Sequence, residues 1–139
     1  MQITIPGEPQ GKARARTVKT KKSKTISYTP DNTVNYEALI KQIYMYEIKP
    51  KALITKPVTM LIKAYFSIPK STTKSKRIDM LYNNIRPTKK PDADNIAKII
   101  CDALNGIAYK DDTQVVSLTV EKWYTEENPR VEVGILEVG

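Results

Sequence analysis

Five aspartates crowd into a 21-residue stretch: Asp92, Asp94, Asp102, Asp111 and Asp112, with Lys98 among them. If residues 92–104 are helical, Asp94, Lys98 and Asp102 fall at i, i+4 and i+8 along one flank. A following loop that folds back along the helix would bring Asp111 and Asp112 toward the first pair. Carboxylates gathered this way repel by about 4 kcal/mol at a separation of about 4 Å and an effective dielectric near 20. One of them then keeps its proton unless a cation intervenes. An all-oxygen site with room for water suits Mg²⁺ or Mn²⁺ better than zinc or copper. Such a site can bind phosphate oxygens, stabilise an in-line displacement and activate the attacking water. Lys98 would then neutralise the developing oxyanion or orient that water. A plainer alternative makes Asp92 and Asp94 helix caps, each gaining about 0.3–1 kcal/mol from the helix dipole. It makes Lys98 an ion-pair partner of Asp94 or Asp102, worth tenths of a kcal/mol. Capping accounts for one aspartate but not for two followed by Asp111 and Asp112.

The rest of the composition narrows the chemistry. No histidine is present in the 139 residues, which excludes Ser-His-Asp triads, histidine-ligated metal hydrolases and histidine general bases. A single cysteine makes no internal disulfide or zinc cluster. Cys101 falls inside the acidic helix, where packing is its expected role. With 40% apolar and 27% charged residues the chain can bury a core. No run is long enough to span a bilayer and no leader is recognisable, so a cytoplasmic protein is expected. The formal net charge of +8 points to a polyanionic partner. Residues 1–91 carry nineteen Lys/Arg against five Asp/Glu, and residues 92–139 carry four against ten. A basic surface around one acidic knot suits a metal-dependent enzyme acting on a phosphodiester.

One domain, residues 1–139, is expected, in an α+β class: a mixed sheet with one face covered by helices, in two layers. Residues 2–5 read as a strand ending at Pro6-Gly7-Glu8-Pro9. Residues 12–24 form a basic arm, either flexible through self-repulsion or a β-hairpin, since Val18, Ile26 and Tyr28 are good strand formers. Residues 31–47 show a helical stripe of Tyr36, Leu39, Ile40, Ile43 and Tyr44. Residues 58–68 alternate as a strand. A short helix is expected around Ile78 and Leu81. The helix after Asp92 carries Ile96, Ile99, Ile100, Ala103 and Leu104 inward and stops at Asn105-Gly106. Strands follow at 114–124 and 130–138, expected to pair with each other as an antiparallel hairpin and with the 58–68 strand.

The string Lys90-Pro91-Asp92-Ala93-Asp94-Asn95-Ile96-Ala97-Lys98, followed by Asp102-Ala103-Leu104-Asn105-Gly106 and Asp111-Asp112-Thr113-Gln114-Val115-Val116, resembles the RusA family. These are Holliday-junction-resolving endodeoxyribonucleases of bacteria and their phages. The resemblance implies that Asp92, Asp94 and Asp112 hold Mg²⁺, with Mn²⁺ a possible substitute, and that Lys98 is catalytic. Asn95, Asp102 and Asp111 also match the family pattern, as further support or alternative ligands, with Asp102 bracing the helix or the arm. The family implies a homodimer that places paired nicks in a four-way DNA junction, a symmetric enzyme on a symmetric substrate. Lys12, Arg14, Arg16, Lys89 and Lys90 are the expected DNA contacts. The rival readings are a catalytically inactive module that binds branched DNA or RNA, and a looser Mg²⁺ nuclease.

Overall fold

Residues 1–13, 16–19, 25–28 and 31–139 are described by a computed structural model. Strand β1 (Gln2–Pro6) turns Ile3 and Ile5 inward. The chain then reverses at Gly7, whose φ of 97° disfavours any side chain. β2 (Arg16–Lys19) and β3 (Thr25–Tyr28) pair antiparallel, Arg16 opposite Tyr28, so the arm takes its hairpin alternative. Arg14 and the lysines between these strands, Lys21, Lys22 and Lys24, lie outside the described residues.

Helix α1 (Asp31–Ile48) buries Tyr36, Ile40 and Tyr44, as its periodicity predicts, and half-buries Leu39 and Ile43. β4 (Val58–Ser67) alternates through its whole length, with Val58, Met60, Ile62, Ala64 and Phe66 buried. Helix α2 (Lys74–Leu81) starts at Thr73, whose Oγ1 accepts the Lys76 N–H. Helix α3 (Ala93–Leu104) buries Ile96, Ala97, Ile99, Ile100, Ala103 and Leu104. A single 3₁₀ turn, Asp112–Gln114, leads into β5 (Val115–Thr125), and β6 (Arg130–Glu137) closes the chain. Among the described residues no helix is long and apolar enough to cross a membrane.

The main sheet runs β1-β6-β4-β5, with β4 and β5 parallel and the other pairs antiparallel. The α+β class and the pairing of both late strands with β4 are as expected. The β5–β6 hairpin is not: the two strands lie on opposite sides of β4. Burial explains the exchange. β6 buries Val131, Val133 and Ile135 at every second residue and suits an interior position. β5 leaves Val116, Ser117, Leu118 and Thr119 exposed and takes the edge. A parallel neighbour needs a crossover, and the connection carrying α2 and α3 supplies it. α1 and α3 pack together on one sheet face, and their apolar stripes join those of β1, β4 and β6 in one core.

The C-terminal end of α3 decides where the acidic loop goes. Its last carbonyls need partners outside the helix. Leu104 O accepts the Ile107 and Ala108 amides, and Asp102 O accepts that of Asn105. Cys101 O accepts the hydroxyl of the fully buried Tyr109 at 2.8 Å. The Ile54 amide donates to Ala108 O, and Gln114 Nε2 donates to the carbonyls of Ile54 and Lys56, which seals the loop from the other side. Tyr109→Phe leaves the Cys101 carbonyl without this donor, so unfolding free energy should fall by about 1–3 kcal/mol. Urea denaturation followed by circular dichroism checks it; an unchanged midpoint would remove Tyr109 as the anchor of this loop.

Candidate functional site

The site assembles on α3 from its first residue to its last turn. Asp92 occupies the N-cap position in extended conformation, and its carbonyl accepts the Ile96 amide, yet its carboxylate makes no capping bond. An aspartate at this position ordinarily bonds the amides of the first turn. Here the exposed carboxylate is left for other use. Asp94 follows in the first turn, also exposed. Lys98 and Asp102 lie one and two turns further on the same flank, with Lys98 Nζ 3.6 Å from Asp102 Oδ2. The Lys98 side chain is 61% exposed, so this pair is weak and its ammonium stays open to solvent.

The loop sealed by Tyr109 brings the second pair of aspartates alongside. Asp111 caps the 3₁₀ turn: its Oδ1 accepts the Thr113 amide at 3.4 Å, while Gln114 Oε1 accepts the Asp111 amide at 3.0 Å. Asp112, half-buried, faces Asp111, Asp102 and Lys98. Its carboxyl is held above the ordinary aspartate value, first by a hydrogen bond with Asp111, then by burial and by the charges of Asp111 and Asp102. Lys98 pulls in the opposite direction. Burial raises the Cys101 thiol, whose Sγ lies 3.9 Å from Met60 Sδ, as suits a packed side chain.

Asp92 belongs to a different neighbourhood. The Lys122 ammonium interacts with its charge, and Lys122 Nζ donates to the Lys89 carbonyl at 2.6 Å. Burial lowers the Lys122 pKa most, Asp92 raises it and Lys89 lowers it again. Arg86 donates to the Lys122 carbonyl at 2.7 Å and stacks 3.4 Å from the Trp123 ring centroid. Between the two neighbourhoods runs the 10–13 segment. The Lys12 amide donates to Asn95 O at 3.1 Å and the Ala13 amide to the buried Thr33 Oγ1 at 3.2 Å. A Cβ on Gly11 would come 2.9 Å from Pro91 Cβ and 3.0 Å from Asn95 Cβ, so only glycine passes here without a shift. An open cleft of about 850 Å³ lies at this crossing, lined in part by Gln10, Asn32, Lys90, Asp92 and Asn95.

The structure thus gathers Lys98, Asp102, Asp111 and Asp112, while Asp92, whose charge reaches Lys122, stands apart from them. Among the described residues no three carboxylate or thiol groups converge closely enough to hold one ion directly. The donor set still fits a hard divalent cation: every donor is a carboxylate oxygen, Asp92 is unused by its helix, and Asp112 carries the like-charge crowding that a cation relieves. Lys12, expected to face phosphate, instead directs its ammonium to Glu37 and to Asp102, the latter at 3.3 Å. It ties the arm to α1 and α3. Arg16 opens β2, and Lys89 and Lys90 precede α3 with both residues exposed.

A model of the family described as endodeoxyribonuclease RusA matches residues 6–136. This chain belongs to the RusA family. It is also 39% identical over 140 residues to an uncharacterised protein of Bacillus subtilis (strain 168), YqaN, covering 99% of this chain and 96% of that one. Membership in the RusA family implies a nuclease of Holliday junctions, and such nucleases generally depend on a divalent metal. Sequence reasoning on this RusA chain missed three residues that build the site: Tyr109, Glu37 and Lys122. For Lys122 a signal existed, because it falls between Val120 and Tyr124 on the inward-facing register of β5. A charged residue at such a position asks for a partner.

The crowding at Asp112 has a measurable sign. Its folded pKa lies above the unfolded one, so its favourable contribution is present at low pH and is lost as pH rises through the raised value. Asp112→Asn removes the repulsion. At pH 7 without divalent cation the variant should melt at or above wild type, and the difference should vanish near pH 3, about where aspartates protonate. Thermal melts at the two pH values decide; a lower Tm at pH 7 would make Asp112 a stabilising group.

Proposed function

We propose that this chain is a Mg²⁺-dependent endodeoxyribonuclease that resolves four-way DNA junctions by paired symmetric nicks, working as a cytoplasmic homodimer. The observation that carries the reading is the return of Asp112 to the flank of α3, beside Lys98 and opposite Asp102, in a chain that is otherwise strongly basic. Asp92, Asp94 and Asp112 would hold the metal, with Mn²⁺ able to replace Mg²⁺. When bound, the ion supplies a Lewis acid for the phosphoryl oxygen and a means of activating water.

The chain's own residues do the rest. Lys98, with its ammonium in solvent, neutralises charge gathering on the phosphate during displacement. Asp102 braces this flank through Lys12 and Lys98. Asp111 orders the turn that presents Asp112 rather than binding the ion itself. Asn95 holds the 10–13 segment through its carbonyl, which sets one wall of the cleft. Lys89, Lys90, Arg14 and Arg16 contact phosphates of the junction arms, while Lys12 acts as a strut. The inactive DNA- or RNA-binding module remains the second reading, favoured by one fact: no three carboxylates converge among the described residues.

Asp94→Asn separates the two. Shape and helix are kept and one charged donor is lost, so cleavage of a synthetic four-way junction in Mg²⁺ should fall by more than the 10–100-fold typical of outer-shell changes. Junction binding in Ca²⁺ should persist or tighten. Wild type that binds the junction and never nicks it in Mg²⁺ or Mn²⁺ would establish the binding module. Equal cutting of junction, linear duplex and single strand would establish the looser nuclease.

Paired nicking also demands two acidic helices, and the described residues of one chain supply one. Sedimentation equilibrium at micromolar protein should give twice the chain mass. A monomer there would leave symmetric cutting without a mechanism.

A further inference from the structure

We propose that Lys122 is a positioning residue for Asp92, fixing the turn that carries it. The inference rests on the reading of Asp92 as a metal ligand. β5 alternates, and Val120 and Tyr124 pack against the core on either side of Lys122. Lys122 therefore points to the face where α3 lies, a place that alternation reserves for an apolar side chain. Its stem and ammonium run over Phe66, with Nζ 5.2 Å from the ring centroid, and the ammonium ends on the Lys89 carbonyl at 2.6 Å.

A second tie comes from the same strand. The Lys122 carbonyl accepts Arg86 Nε at 2.7 Å, and the Arg86 guanidinium stacks on Trp123. One dipeptide of β5, Lys122-Trp123, thus clasps both ends of the 86–89 segment. Asp92 lies three residues beyond Lys89. Nothing in α3 orients its carboxylate, because the capping bond is not made. The direction of that carboxylate is set by the chain behind it, and Lys122 holds that chain through the Lys89 carbonyl. Lys89 Nζ stands close by, 5.7 Å from the Phe66 centroid and 6.0 Å from that of Tyr124, on the same aromatic floor. The arrangement is that of an outer partner orienting a ligand, a role whose loss typically costs 10–100-fold in metal affinity.

The test uses the whole protein and Mn²⁺ as the probe, by isothermal titration without DNA, beside junction affinity in Ca²⁺ and single-turnover cleavage. Lys122→Met keeps the stem over Phe66 and deletes the ammonium. Its Mn²⁺ affinity should drop 10–100-fold, with cleavage rate following at subsaturating metal and recovering at high metal, while junction affinity stays close to wild type. Lys122→Arg should restore Mn²⁺ affinity, since a guanidinium can reach the same carbonyl. Should Lys122→Met fail to fold, Lys122→Leu, which also lacks the donor to the Lys89 carbonyl, is read in the same way. Unchanged Mn²⁺ affinity in the variant, with wild type binding Mn²⁺ and cutting, overturns the role of Lys122 alone. Lost junction affinity with intact Mn²⁺ affinity makes Lys122 a phosphate contact and overturns it as well. Wild type that binds no Mn²⁺ overturns both this inference and the metal site.

Discussion

The hydroxyl of Tyr109 bonding back to the Cys101 carbonyl is the interaction on which the rest of the site depends. A helix end must find partners for its last carbonyls, and α3 finds one in a side chain eight residues downstream. Satisfying that carbonyl with a buried tyrosine forces the chain to turn back along the helix rather than leave it. The return is then locked to the Ile54 segment by backbone and Gln114 bonds. Asp111 and Asp112 arrive beside Lys98 and Asp102 as a consequence of helix termination.

Strand β5 then acts as a ruler for the whole site. It begins directly after the 3₁₀ turn of Asp112 and carries Lys122 near its far end. Helix α3 packs along the same sheet, so its acidic termini meet two different portions of one strand. At one end β5 is preceded by a carboxylate pair; at the other it offers a cation. A site built on a strand and a helix is held more firmly than one built on loops.

Charge is sorted in the same way. The acidic groups are not left to neutralise the basic surface at random. Lys12 is engaged by Glu37 and Asp102 and joins three parts of the chain, while Arg86 is engaged by Trp123 and a carbonyl. Those two cations serve the architecture. Lys98, Lys89 and Lys90 remain exposed around the acidic helix. Crowded carboxylates in an excess of positive charge favour both a divalent ion and a phosphate, which is the combination that a nuclease of the RusA family requires.

Much of this was legible in the sequence, because local periodicity reports local burial. The helical stripe from Ile96 to Leu104, the alternation of residues 58–68 and the i, i+4, i+8 flank of Asp94, Lys98 and Asp102 all follow from which side of an element faces the core. The candidate aspartates and the RusA resemblance came from that same stretch. Other features were not legible. Short separation between residues 125 and 130 suggested a hairpin, yet β6 lies between β1 and β4, because the more completely buried strand claims the interior. Asp111 and Asp112 look alike as neighbours until the capping bonds separate them. Lys12 read as a DNA contact, with no sign of the two carboxylates from separate helices that it meets, and Lys122 read as nothing until the 86–92 turn lay across it. Periodicity records the face a residue presents. Which partner it meets on that face is a sum of contacts between segments far apart in the chain, and only the folded structure performs that sum.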